Sequence, residues 1–409
     1  MKMFEQYKGL RKELYVLFIG KVMTCMGSMV YPMLTLILSK KLGMSAGDIA
    51  TYFLLFTLVG FPFNVIGGKL ADKFNKRNII VICDLISVVA YVFCFFREIN
   101  LTTIIIFSVA GLFQNIEYPA YDALIADFTL PKDRERAYSL EYLGTNLGLV
   151  LAPTIGGLLF NNYLSYAFLI NACSILLSTI LIFFNIKDVH KEVDSEAKND
   201  YEKEIDNKVS GFGYILKNRV VLLYLLMMIF NSAVYSMFSF LMPLDMGVVH
   251  GDNGAVLFGT MNSINCAVVI IFTAAITRIC SKVFESRKML IGEFLEISGY
   301  LIFMFFIKNI FLCYVCMVLF TFGEIFCTLA CTPYLTKRIP SSHRGRIISI
   351  VNVTGNICSM LLSKFIGQVH DVSGRLTSWW VVIAFGVIDL LLIIVMTYCD
   401  KKDYKGLYE

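Results

Sequence analysis

GGKLADKFNKRN, residues 67–78, closes one long apolar run and opens onto another. Within it lie Asp72 and four basic side chains, Lys69, Lys73, Lys76 and Arg77. The surrounding chain of 409 residues is 57% hydrophobic and only 16% charged, and its mean hydropathy is +0.70. Soluble domains carry about a quarter charged residues, so this composition selects a membrane protein and the knot needs a place in it.

Runs of about 20 apolar residues cross a hydrocarbon core of about 30 Å as helices. Twelve such runs are read between residues 14 and 398, and their alternating loops differ sharply in charge. Lys and Arg number 29 in the N-terminus, every second loop and the C-terminus, against 5 in the remaining loops, with Lys21 and Lys364 inside spans. By the positive-inside rule, both termini and the knot face the cytoplasm of a multi-pass protein in the plasma membrane. The first run is too long for a signal-peptide core and lacks a small-residue cleavage site, so it is expected to remain as a helix.

Residues 188–217 form the one long polar stretch, mixing both signs of charge. It reads as a cytoplasmic linker between an N-terminal six-helix bundle, 1–187, and a C-terminal one, 218–409. An internal repeat crosses it. At an offset of 210, Arg134, Arg136, Ser139 and Asn146 meet Arg344, Arg346, Ser349 and Asn356, while Phe74 and Arg77 meet Phe284 and Arg287. Parallel repeats of this kind characterise transporters. The copies are unequal, because Asp72 meets Lys282.

Charged groups inside the spans are the candidates for chemistry, since each costs about 2.5 to 3.5 kcal/mol at the bilayer centre. Glu117 and Glu324 are central in the fourth and tenth spans. Helical spacing places Gln114, Glu117 and Tyr121 on one face, and likewise Thr321, Glu324, Thr328 and Cys331, and Ser232, Tyr235 and Ser239. These stripes either line a cavity or bond neighbouring helices. In the first span Met23, Met26, Met29 and Met33 form a stripe suited either to core packing or to adaptable ligand contact. Lys21 points away from it and is expected to pair with Asp84, Asp122 or Glu141, or to snorkel. Glu293, Glu296 and Asp389 are expected to pair with neighbouring helices. All twelve cysteines lie in or beside spans, the Cys313/Cys316 pair has no companion ligands, and all four histidines, His190, His250, His343 and His370, are assigned to loops. A disulfide framework, a metal site and a membrane-embedded enzyme are therefore disfavoured.

Gly68, Leu70, Ala71, Asp72, Lys73, Lys76 and Arg77 resemble the loop 2–3 signature of the major facilitator superfamily, with Asn75 standing where a second glycine is usual. Asparagine tolerates a left-handed backbone, so the turn is expected to survive. Gly144, Gly148, Pro153, Gly156 and Gly157, with Ala152 for a glycine, are spaced like the fifth-helix motif of proton-coupled drug antiporters. Small residues at this spacing allow close helix approach. The whole chain is similar to multidrug/proton antiporters of the LmrP type, through Asp72, Asp127 ahead of Arg134, Glu141, Glu324 and Asp389, although Ser239 replaces an aspartate of that type.

The resemblance implies the major facilitator fold, an all-α membrane protein with 12 transmembrane helices in two pseudo-symmetric six-helix bundles. It implies a cytoplasmic gate of Gly68, Asp72, Lys76, Arg77, Asp127 and Arg134, and proton or substrate carboxylates at Glu141 and Glu324, to which depth in the fourth span adds Glu117. Met26, Met29, Gln114, Tyr121, Tyr235, Ser239, Thr321 and Thr328 become candidates to line the cavity. The partners are a small-molecule substrate and the bilayer, with no nucleic acid; the unit is a monomer and the coupling ion a proton, with no other cofactor. Buried carboxyls that bind either a proton or a cationic drug produce antiport. Proton-coupled efflux of amphipathic cations is thus the expected function, and a proton symporter importing a nutrient or peptide is the alternative.

Overall fold

The structure, a computed structural model, describes residues 7–129, 133–187, 211–339 and 344–404, and every regular element among them is helical. In chain order the helices of seven residues or more are α1 Lys12–Gly27, α2 Ala46–Lys73, α3 Lys76–Phe95, α4 Leu101–Asp127, α5 Arg134–Leu149, α6 Ala152–Leu159 and α7 Leu164–Asn185. They continue as α8 Gly211–Lys217, α9 Arg219–Ser236, α10 Leu241–His250, α11 Gly254–Ile279, α12 Glu285–Phe306, α13 Ile310–Thr336 and α14 Arg344–Asp403. Most of the expected linker, 188–210, lies outside the described residues.

Asparagines start several of these helices. Asn75, Asn100, Asn218 and Asn309 each accept a hydrogen bond from a backbone N–H in the first turn of α3, α4, α9 and α13. Such a cap satisfies a donor that the helix itself leaves without a partner. Asn75 does this with φ −62 and ψ 116, so the knot turns on an extended N-cap and not on the left-handed residue expected from the sequence. The bond from Asn78 N to the Asn75 side chain is 3.3 Å long.

Ten helical stretches are long and apolar enough to cross a membrane. Two of them, Arg219–Ile279 with 61 residues and Ile347–Asp403 with 57, each exceed twice the length that one crossing needs. The first is interrupted at 237–240 and at Gly251, the second at Gly374, where φ is +80. That left-handed backbone is accessible to glycine without a side-chain clash. Each doubled stretch is long enough for two crossings, so the ten stretches are compatible with the expected twelve.

Helix limits reproduce the internal repeat. Arg134 opens α5 and Arg344 opens α14; α3 matches α12, and α4 matches α13, within a residue or two of the 210-residue offset.

Two compact units divide the chain, Met1–Met44, Leu55–Val193 and Met246–Ile270 in one, and Ser45–Leu54, Asp194–Asp245 and Ile271–Glu409 in the other. In the first, α1 packs on α5 and α7, α3 packs on α4 and α7, and α6 meets the start of α11. In the second, α9 and α12 pack on α14, and α12 packs along α13. Segment 45–54 belongs to the second unit because Ala46 N and Gly47 N donate to the Asp371 carboxylate at 2.9 and 2.7 Å, a favourable place for negative charge at the start of α2.

Candidate functional site

A polar cluster sits among the helices of the first unit. Lys21 of α1 reaches Glu141 of α5 at 3.2 Å and lies over the rings of Tyr118 and Tyr121 of α4, 5.4 and 5.1 Å from their centroids. Both ring faces favour a cation withdrawn from water. Of the three acids open to Lys21 in the sequence, Glu141 is the partner. Asp84 of α3, buried, accepts from Thr179 Oγ1 of α7 at 2.7 Å, and its carboxyl is within hydrogen-bonding reach of Glu117 on α4. Two carboxyls bond to one another only with a proton between them. Glu117 therefore joins a network across α3, α4 and α7 in which Asp84 and Thr179 were not singled out as site residues. An acid about two turns into an apolar helix was the available signal.

The stripe beside Glu117 is spent on neighbours. Gln114 Nε2 donates to Tyr91 OH at 3.2 Å, and Tyr121 is buried with its hydroxyl donating to Leu17 O at 2.6 Å.

In the second unit Tyr235 of α9 donates to Glu324 Oε1 of α13 at 3.0 Å. The Tyr235 ring stacks on Phe320, and Phe238 stacks on Phe320 as well. Tyr235 is 40% exposed and Glu324 is half-buried, so a carboxylate and aromatic faces are presented together. That combination recognises organic cations. Thr328 and Ser239 are exposed, whereas Thr321 is buried and donates to Met317 O of its own helix at 2.7 Å. The expected face of α13 is therefore split, with Thr321 on its buried side and Thr328 on its exposed side. The α9 stripe is also cut, since the helix ends at Ser236 and Ser239 bonds back to Ser236 O.

The methionine stripe breaks for a similar reason. α1 stops at Gly27, and Ser28 adopts a non-helical backbone. Met26 stays 47% exposed while Met29 is 4% exposed and Met33 fully buried, so the expected stripe is divided between surface and interior.

The knot is held by its basic residues. Lys76 pairs with Asp127 at 2.7 Å, and Arg77 donates to Ile186 O and lies over Phe183. Asp72 is exposed; the Arg134 side chain lies outside the described residues. Of the two glycines, Gly68 has open space where a Cβ would go, while a methyl on Gly67 would reach within 2.7 Å of Ile116 Cα.

The fifth-helix motif splits between two partners. A methyl on Gly148 would lie 2.5 Å from Cys25 Cβ, and one on Gly156 would lie 2.7 Å from Met29 O, both on the first span. Gly144 faces Phe18 of the same span. Gly157 instead faces Ala255 O of α11, where Gly259 in turn meets Pro153 O. Pro153 opens α6 just after the break at 150–151.

His250, the last residue of α10, and His370 correct the assignment of all histidines to loops. His370 is the deeper of the two in its helix. It lies within α14, and its Nε2 is 3.1 Å from Oδ1 of buried Asp245, whose Oδ2 accepts from Trp379 Nε1 at 2.6 Å.

The family model described as Major Facilitator Superfamily matches residues 16–363. A Na(+), Li(+), K(+)/H(+) antiporter of Planococcus maritimus is 25% identical over 86% of each chain. The multidrug resistance protein MdtH of Aeromonas salmonicida (strain A449) is 23% identical over 91% of each. Among solved structures, a POT family transporter in complex with 5-aminolevulinic acid superposes with a TM-score of 0.78 at 13% identity, covering 97% of each chain; that likeness concerns the fold alone.

Proposed function

Since the chain belongs to the Major Facilitator Superfamily, a family of membrane transporters, we propose that it exports amphipathic cationic small molecules in exchange for protons, by alternating access. The observation that carries this reading is the Tyr235–Glu324 pair, an accessible carboxylate framed by aromatic rings. Glu324 takes the substrate's positive charge. Glu117 and Glu141 carry protons, the first through its shared hydrogen bond with Asp84 and the second against Lys21. A carboxyl that holds either a proton or a cation cannot hold both, and that competition couples the two fluxes.

The names of two relatives support exchange over import, since one is an antiporter of monovalent cations and protons and the other a multidrug resistance protein. A pH unit contributes about 1.36 kcal/mol per proton, and 100 mV about 2.3 kcal/mol per charge moved. Exchange of two protons for one monovalent cation uses both. In this reading both termini face the cytoplasm, Asp72 and Asp127 gate that side, and the transporter acts as a monomer.

The test is proton-driven movement of a fluorescent organic cation in proteoliposomes. Glu324→Gln is expected to abolish it while leaving membrane insertion normal. Undiminished coupled transport in that variant, or accumulation in place of export by the parent protein, removes the reading.

A further inference from the structure

Three acids of the second unit have no role so far. Glu293 and Glu296 of α12 and Asp389 of α14 are 0%, 1% and 0% exposed. Asn231 Nδ2 of α9 donates to Glu293 Oε2 at 2.9 Å. Beyond that bond, Glu293 Oε1, Glu296 Oε2 and both oxygens of Asp389 make no hydrogen bond, four of the six buried side-chain atoms left so among the described residues. The donor that faces Asp389 is the same Asn231 amide that is already given to Glu293. The charged and titratable groups around them are Glu324, Tyr300, Cys327 and Cys331. None supplies a positive charge, and no lysine, arginine or histidine pairs with the three among the described residues.

Why the acids gather here is visible in the repeat. At the 210-residue offset Thr179 falls on Asp389 and Lys21 falls on Asn231, while Asp84 falls one residue from Glu293. The first unit's version of this node holds a cation, Lys21, and a neutral donor, Thr179, against its acids. The second unit has exchanged the cation for an amide and the donor for a further acid. Both substitutions remove positive or donating groups, so the node cannot be neutralised by its own side chains. An isolated ionised carboxylate in an apolar interior is strongly disfavoured.

We propose that the Glu293–Asp389 pair, with Glu296 beside it, is a proton-binding site separate from the Tyr235–Glu324 pair. Glu293 and Asp389 lie within hydrogen-bonding reach of each other. Fully ionised, they offer each other only acceptors; one proton turns that contact into an O–H···O bond and supplies the missing donor. The Asn231 amide directs its N–H at Glu293, which suits a carboxyl oxygen and opposes a metal cation at that oxygen. Loading or losing this proton makes or breaks the tie between α12 and α14.

The site would supply a coupling proton to the exporter proposed above, and that step rests on the functional reading; proton occupancy itself does not. Infrared difference spectra of the reconstituted protein between acidic and alkaline buffer, in light and heavy water, report protonated carboxyls directly. The parent protein is expected to show a titrating, deuterium-sensitive carboxyl band that Asp389→Asn reduces and the double variant with Glu293→Gln removes. In parallel, Asp389→Asn is expected to cut pH-driven transport of the fluorescent cation by about tenfold or more, the equivalent of one pH unit on one proton, with unforced substrate exchange retained. Asp389→Thr, which restores the first unit's residue, should behave the same way and keep the protein folded.

An unchanged band in the double variant overturns the site. So does a band that sodium, lithium or potassium titrates in place of protons, and so does loss of exchange together with coupled transport in a folded variant. Should the parent protein drive no cation by pH while the band still titrates and depends on Asp389, the functional reading falls and the proton site stands.

Discussion

Lys21 and Glu141 form an ion pair across α1 and α5 at 3.2 Å, with two tyrosine rings beneath the ammonium. Each side chain is less than a fifth exposed, so neither charge is well solvated without the other. Losing one partner of a buried pair is far more damaging than losing both. Lys21→Met is therefore expected to lower stability by up to about 3 kcal/mol. Adding Glu141→Gln to it should return part of that loss. Thermal unfolding in detergent of the two single variants and the double gives the coupling energy, and strictly additive losses would show that the pair does not interact.

At Glu324 the hydroxyl of Tyr235 is the removable contact. Tyr235→Phe keeps the ring and its stacking on Phe320 while deleting a hydrogen bond to a carboxylate, a bond of about 1.5 to 3 kcal/mol when charge-assisted. If Glu324 holds the substrate's charge, the variant alters its reactivity without removing it. The expected result is cation affinity changed by about tenfold, for about 1.4 kcal/mol, with coupled transport still measurable. Tyr235→Leu, which removes the ring as well, should cost more than Tyr235→Phe if the aromatic face contributes. Equilibrium binding of a fluorescent cation to the purified protein compares the two.

Gly67 and Gly68 are neighbours with opposite demands. A methyl on Gly67 runs into the backbone of Ile116, whereas one on Gly68 meets nothing within 4 Å. Gly67→Ala should destabilise by about 1 to 3 kcal/mol through overpacking. Gly68→Ala should be neutral or stabilising by up to about 1 kcal/mol, the usual gain of alanine over glycine in a helix. Loss of transport in Gly68→Ala with stability intact would assign that glycine to the switching motion and not to packing. Thermal unfolding and transport measured on the same preparations separate these outcomes.

Much of this was legible before any coordinates. Hydropathy fixed the helices, because a 20-residue apolar run has few other uses, and the 210-residue offset anticipated matching helix limits at Arg134 and Arg344. Depth and spacing put Glu324 among polar neighbours and narrowed the partner of Lys21 to Asp84, Asp122 or Glu141, of which the structure pairs it with Glu141. What spacing could not supply was the interruption of helices: Met29 and Ser239 left their expected faces because α1 stops at Gly27 and α9 at Ser236. Contacts between remote segments were equally hidden. No local pattern tells that Thr179 meets Asp84, or that His370 faces Asp245, since those pairings are set by how helices from distant parts of the sequence stack.

Asp371 makes the last prediction, because it holds segment 45–54 through two backbone bonds at the start of α2. A carboxylate there gains from the helix dipole by about 0.3 to 1 kcal/mol. Asparagine keeps an acceptor but loses the charge, so Asp371→Asn should weaken the tie by that amount without unfolding the chain. Ala46 is buried at 3%, which makes it a reporter of opening. A cysteine placed by Ala46→Cys should react with a membrane-impermeant maleimide about two to five times faster in the Asp371→Asn background, the ratio that about 0.3 to 1 kcal/mol implies. Site-resolved mass spectrometry distinguishes that position from the twelve native cysteines. Equal labelling rates in the two backgrounds would mean that the packing of Gly367 against Ala46, and not the carboxylate, keeps the segment in place.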